Sequence, residues 1–199
     1  FFNAYAQKSS NLEQIQIEAG KYIDIGNTKY AAEDYEGAIN EYTKALAIDS
    51  KNVFAYSNRG SSKNKLKDFN GAIEDFAKAI EIQPKFSSAY FNRGNLKMEL
   101  EDYAGALEDF SKVIEIEPED ASAYYSRGVS KMNMNDFKGS NEDFAKAVEI
   151  NPEDVEAYFM LGNSKLELED YAGALEDFSR VIEMNPESVT AYFNRGISK

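Results

Sequence analysis

Cysteine and histidine are absent from the 199 residues, and proline occurs only four times. Without either residue there is no disulfide, thiolate nucleophile, zinc cluster or imidazole acid–base pair to build. No apolar run approaches the roughly 20 residues that a bilayer-spanning helix needs. Basic charge is also short: 22 Lys and Arg stand against 35 Asp and Glu, a formal charge of −13 that repels nucleic acid and anionic lipid. Acidic turns such as Glu117 with Glu119 and Asp120 lack the spacing of a calcium loop, and no phosphate-binding loop is present. These absences point away from an enzyme, a cofactor or metal site, nucleic-acid binding and membrane insertion.

What is present is repetition. The stretch Glu99 to Ser111, ELEDYAGALEDFS, recurs identically at Glu167 to Ser179, 68 residues on. Half that distance, 34 residues, carries Tyr35, Phe69, Tyr103, Phe137 and Tyr171 into register. A fixed period of this length signals a stack of small units in place of a single-core globule. Five units follow, 19–52, 53–86, 87–120, 121–154 and 155–188, with a fragment at 189–199.

Each unit reads as two helices. In the third, Tyr90, Gly94, Lys97 and Met98 lie at helical spacing before Asp102 interrupts. Asp102 is an expected N-cap, as are Asp34, Asp68, Asp136 and Asp170 at the same place. The second helix carries Tyr103, Ala106, Leu107, Phe110, Val113 and Ile114, the spacing of a buried face. Pro84, Pro118, Pro152 and Pro186 end their units. Glycine recurs on every first helix (26, 60, 94, 128, 162, 196) and a small residue on every second (Ala38, Ala72, Ala106, Ser140, Ala174). A mid-helix glycine costs about 1 kcal/mol relative to alanine, so its recurrence predicts a close backbone approach that offsets the loss. One pair buries too little to offset its backbone entropy, so stability must come from stacking on neighbours. The fragment 189–199 should then rest on the fifth unit and leave its other side bare, which suggests a natural chain that continues past Lys199.

This pattern resembles the tetratricopeptide repeat, a family of 34-residue helix-turn-helix units, over residues 19–199. Its first-helix aromatic corresponds to Tyr22, Tyr56, Tyr90, Tyr124, Tyr158 and Tyr192. The second-helix aromatic corresponds to Tyr42, Phe76, Phe110, Phe144 and Phe178, followed by a small site at Ala45, Ala79, Val113, Ala147 and Val181. Ser50 stands in place of the first unit's proline, and Ser140-Asn141 departs from the usual Ala-aliphatic pair, which should loosen the fourth unit. The resemblance implies an all-α, alpha-alpha superhelix whose concave groove, lined by the first helices, binds a peptide or protein.

The groove positions that the resemblance implies hold aromatics at Phe91, Tyr125, Phe159 and Phe193, amides at Asn27, Asn58, Asn92, Asn95, Asn163 and Asn194, and the adaptable Met98 and Met132. Amides can pair with a peptide backbone while aromatics and methionine give sequence-tolerant contact. The alternative is that these are helix-surface or inter-repeat packing residues. The carboxylate clamp of some family members is incomplete here: Asn27 and Asn58 match it, but Ile23, Ser88 and Asn92 replace its cations. Arg59 with Lys63, Arg93 with Lys97 and Arg127 with Lys131 face Asp75, Asp109 and Asp143; we read them as partly buried ion pairs in preference to an anion-binding stripe.

Units alternate between Gly-Asn-x-Lys (26, 94, 162) and Gly-x-Ser-Lys (60, 128, 196), so the duplicated element is a pair of repeats. That suits a periodic partner, though tandem duplication alone explains it. Residues 1–11 read as an N-terminal tail preceding an array over 12–199, with Ser10 and Glu13 forming a capping box for a helix starting near Leu12. FFNAYAQ resembles the end of a secretory signal peptide, which favours an exported (periplasmic or secreted) protein over a cytoplasmic one; the alternative is a frayed extension. The functional expectation is a non-enzymatic scaffold for a partner protein's extended segment. Its rivals are self-association through open repeat ends and an adaptor for a domain outside this sequence.

Overall fold

The computed structural model describes the backbone of residues 2–199 and the side chains of residues 13–199. Among these residues there are eleven helices and no strand. The chain divides into two compact units, Phe1–Leu96 and Lys97–Lys199. In the first lie α1 (Phe2–Ala31), α2 (Tyr35–Ile48), α3 (Val53–Lys65), α4 (Phe69–Ile82) and most of α5 (Ser87–Glu99). The second holds the end of α5 with α6 (Tyr103–Ile116), α7 (Ala121–Asn133), α8 (Phe137–Ile150), α9 (Val155–Glu167), α10 (Tyr171–Met184) and α11 (Val189–Ile197).

Capping chemistry sets the helix starts. Each of α2, α4, α6, α8 and α10 begins at its expected aspartate, whose carboxylate accepts from the glycine amide three residues on, as Asp102 does from Gly105 at 3.0 Å. That glycine leaves room for the carboxylate: a Cβ at Gly105 would fall on Asp102 Oδ2. Asn52, Asp120, Asp154 and Ser188 cap α3, α7, α9 and α11, a second periodic series that the sequence pattern did not disclose. Between the paired helices the chain turns through one left-handed residue, Glu33, Lys67, Glu101, Asn135 or Glu169, with φ between 60° and 63°.

The helix start expected near Leu12 is displaced, because α1 runs from Phe2. No glycine or proline interrupts residues 2–19 and most are fair helix formers, so nothing stops the helix at Ser10. Ser10 therefore lies inside α1; its side chain, like the tail and cleavage-site features of residues 1–11, is outside the described residues.

The core forms where each helix pair meets the next first helix. In the first unit Ala19, Ala45, Leu46 and Ala55 join α1, α2 and α3, with Tyr22, Ile23, Ile48 and Tyr56 against them. One repeat further on, Val53, Ala79 and Ala89 do the same, and Ala72, Phe76 and Leu96 extend the layer. In the second unit α7 packs on α6 and α8, α9 on α8 and α10, and α11 on α10. At Gly26, Gly60, Gly128 and Gly162 the neighbour that comes closest is the second-helix aromatic ring and not the expected backbone, although the Ala72 carbonyl also lies near Gly60. A Cβ on Gly26 would lie 2.5 Å from Tyr42 Cε1, and one on Gly128 would lie 2.8 Å from Phe144 Cε1.

The fourth repeat is not loosened by Ser140 and Asn141. Ser140 is fully buried and its hydroxyl donates to the Phe137 carbonyl at 2.9 Å. Asn141 Nδ2 donates to Ser164 Oγ at 3.0 Å, which replaces apolar contact with a bond from α8 to α9. Satisfied polar groups of this kind cost little to bury.

Candidate functional site

Arginines and lysines in the repeated register of the first helices pair with acids on the second helices. Arg59 grips Asp75 through Nε and Nη2 at 2.9 and 2.7 Å, while Lys63 Nζ adds a third contact at 2.9 Å. Arg127 and Lys131 hold Asp143 in the same way, at 2.6 to 2.9 Å. Lys97 reaches Asp109 at 2.9 Å, and Lys29 and Lys44 reach Glu41 at 3.1 and 3.0 Å. Hydrogen bonds from Lys44 and Lys29 hold the Glu41 carboxyl below its usual pKa, and the bond to Asp75 raises that of Arg59. Lys63, Lys97 and Lys131 also bond the first turn of the paired helix, at the Gly71, Gly105 and Gly139 carbonyls. Arg59 and Arg127 further stack on Tyr56 and Tyr124, with centroid distances of 5.5 and 5.6 Å. Apart from Lys44, which pairs within α2, these side chains fasten helix to helix, as the ion-pair reading expected, and do not form an open anion stripe.

Leu161 stands in the arginine register of the fifth repeat, and the consequence is local. Asp177 keeps only Lys165, whose Nζ lies 2.7 Å from Oδ2 without hydrogen-bond geometry. Burial pushes the Asp177 carboxyl pKa above its ordinary value.

The ten candidate binding residues fall five to each unit and behave differently within it. In the first unit Asn58 Nδ2 donates to Asn27 Oδ1 at 2.9 Å, and the Tyr42 hydroxyl donates to the same oxygen at 2.8 Å. Asn92 lies 3.4 Å from the Ser57 hydroxyl, Asn95 is exposed and Phe91 half-buried. In the second unit Asn194 Nδ2 donates to Asn163 Oδ1 at 2.9 Å, repeating the α1–α3 bond between α9 and α11. Tyr125 and Phe159 are half-buried, their rings 5.7 Å from those of Phe144 and Phe178, whereas Phe193 is 68% exposed. Burial pushes the Tyr125 hydroxyl up to about 12. Met98 Sδ lies 3.0 Å from Ser130 Oγ, whose hydroxyl also has the Ser126 carbonyl as acceptor at 2.9 Å.

Sequence reading did not single out Phe54, which is 58% exposed with its ring edge-on to Phe86 at 5.3 Å. It also missed Tyr30 and Ser61, which with Asn27, Tyr42 and Asn58 line a cavity of about 200 Å³. No motif marks these two; their only signal is that both flank the Asn27–Asn58 pair on α1 and α3.

Second helices of constant length, each with an aspartate cap, and first-helix glycines at 26, 60, 128 and 162 against the aromatic rings of the second helices define a helical-repeat protein. A TPR repeat profile matches residues 26–67, and tetratricopeptide repeat profiles match 53–86, 87–120, 121–154 and 159–198. Together they span well over half of the sequence, and the chain belongs to the tetratricopeptide repeat family. No curated protein matches it. MamA from Desulfovibrio magneticus RS-1 is 23% identical, with a TM-score of 0.77 over 86% of this chain and 97% of that one. YrrB, described as a TPR protein with an unusual peptide-binding site, is 23% identical, with a TM-score of 0.76 over 94% and 97%. A tetratricopeptide repeat protein from Parabacteroides merdae ATCC 43184 is 20% identical, with a TM-score of 0.78 over 90% and 72%. At these identities the likeness is one of fold. The chain thus has the architecture of a protein–protein interaction scaffold, and proteins of this family are in general non-enzymatic.

Proposed function

We propose that the first helices of the repeats bind an extended segment of a partner protein, with amides meeting its backbone and half-exposed aromatics covering its side chains. The observation that carries this reading is the bonded asparagine pair between successive first helices, Asn27 with Asn58 and Asn163 with Asn194. Each bond fixes two carboxamides and leaves N–H and C=O groups over for a ligand, so their ordering cost is met before binding. A likeness of fold to a protein described as having a peptide-binding site agrees with this reading. Selection from a random peptide library against the 199-residue chain tests it, with a control carrying Asn58→Ala, Phe91→Ala and Asn92→Ala. Enriched peptides that share a motif and are lost on the variant support the proposal. No enrichment, or equal binding to a folded variant, overturns it.

A second reading, self-association, rests on apolar side chains left open on α1 and α11. Ile17 and Ile25 are 55% and 46% exposed, and Val189 and Phe193 are 79% and 68% exposed. Light scattering across a concentration series decides it: a monomer at every concentration removes this reading.

A further inference from the structure

The hollow between α1, α2 and α3 has a chemistry of its own. Asn27 Oδ1 accepts from both Tyr42 and Asn58, which uses both of its lone pairs. The Asn27 and Asn58 carboxamides and the Tyr30 hydroxyl line the hollow, so their remaining donor and acceptor capacity stands beside an incoming ligand. Ser61 donates its own proton to the Ser57 carbonyl at 3.1 Å, so it presents an acceptor. No Lys, Arg, Asp or Glu is among the five lining residues. Burial holds the Tyr42 hydroxyl protonated, its pKa pushed up to about 12. The hollow therefore offers paired donors and acceptors without a charge of either sign.

We infer that this hollow receives an uncharged hydrogen-bonding side chain of the bound segment, a carboxamide or hydroxyl. A carboxylate entering it would shed water without meeting a cation, and an ammonium would meet no carboxylate. An aliphatic side chain would leave the asparagine and tyrosine groups unpaired. Contrast within the chain strengthens the point. Asn163 and Asn194 form the same bond in the last repeats, yet Leu166, Phe178 and Ile197 stand there in the registers of Tyr30, Tyr42 and Ser61. One asparagine pair is thus retained beneath two different surroundings, polar on α1 to α3 and apolar in register on α9 to α11.

This inference rests on the peptide-binding proposal, and its test separates the two. A random peptide library is selected against the full chain, against the Asn58, Phe91 and Asn92 alanine control, and against a variant carrying Tyr30→Leu, Tyr42→Phe and Ser61→Ile. Each replacement is the residue that the fifth or sixth repeat already uses in that register, and Tyr42→Phe alone serves as a milder second variant. The expected result is a motif with Asn, Gln, Ser or Thr at one position, turning to Leu, Ile, Val or Phe on the triple variant. A synthetic peptide with Glu in place of Gln there should bind at least about ten-fold more weakly. A charged or aliphatic residue at every motif position, or a preference unmoved by both variants, overturns the inference and leaves peptide binding standing. Absence of any enrichment, or loss of none on the alanine control, overturns both.

Discussion

At the scale of the residue, a side chain's worth here depends on whether its repeat supplies the partner found in the others. Gly128 and Gly196 occupy one register, but a Cβ on Gly128 would press into the Phe144 ring, while one on Gly196 would meet nothing within 4 Å. Gly128→Ala should destabilise the chain by about 1–3 kcal/mol through overpacking. Gly196→Ala should leave stability unchanged or raise it by up to about 1 kcal/mol through helix propensity. Chemical denaturation of both variants checks the pair, and equal losses would deny the close approach. The buried acids separate similarly. Asp143→Asn strips Arg127 and Lys131 of their carboxylate and should cost about 3 kcal/mol; Asp177→Asn removes an acid that has one imperfect partner and should cost about 1 kcal/mol. Because the folded Asp177 pKa is raised, the folded state holds that proton more tightly than the unfolded one. Its contribution is full below the unfolded pKa and is lost as pH rises through the folded pKa. Relative to the parent chain, Asp177→Asn should therefore gain stability at pH 7 compared with pH 3, read from denaturation midpoints at the two pH values; a change of the opposite sign would mean the Lys165 contact outweighs desolvation.

At the scale of the element, the turns between paired helices hold strain that the sequence conceals. Glu101 sits at φ 60° and Asn135 at φ 61°, a conformation costly for most side chains and easier for asparagine. Glu101→Gly should stabilise the chain by about 1 kcal/mol and Asn135→Gly by less, measured by urea denaturation; equal gains, or a loss at Glu101, would refute the strain argument. Nothing in Lys67, Glu101 or Glu169 announces a left-handed residue, which is why pattern reading stopped at the aspartate that follows. The helices were legible because three signals agreed at one period: apolar spacing, a capping aspartate and a terminating proline. The start of α1 was misread because Ser10 and Glu13 satisfy a capping box in sequence, while helix formers on both sides let the helix run through it. The candidate site was legible by residue type only. That Asn27 and Asn58 bond one another depends on successive first helices lying side by side, and the cavity beside them depends on Tyr30 and Ser61, whose sequence neighbours carry no special mark.

At the scale of the molecule, the charge distribution separates what holds the repeats from what strains them. The ion pairs that fasten first to second helices end on buried acids, with Asp75 and Asp143 only 4% and 3% exposed, so salt reaches them poorly. Exposed pairs such as Lys78 with Glu81 and Lys112 with Glu115 contribute little in water. The remainder is excess acid: Glu74, Glu108, Glu142 and Glu176 recur on exposed second-helix surface in the second to fifth repeats, and the chain carries a formal charge of −13. Like charges accumulated within each compact unit repel, and that repulsion is what added salt screens. Raising sodium chloride from about 0.02 M to about 0.3 M, across which the screening length shortens from roughly 20 Å to roughly 6 Å, should raise stability by about 1 kcal/mol and the melting midpoint by about 2–4 °C. A matched titration with Glu74, Glu108, Glu142 and Glu176 all changed to Gln should show a shallower rise. If the midpoint instead falls with salt, exposed ion pairs outweigh the acidic excess, and the buried Asp75 and Asp143 contacts cease to be the main electrostatic support of the array.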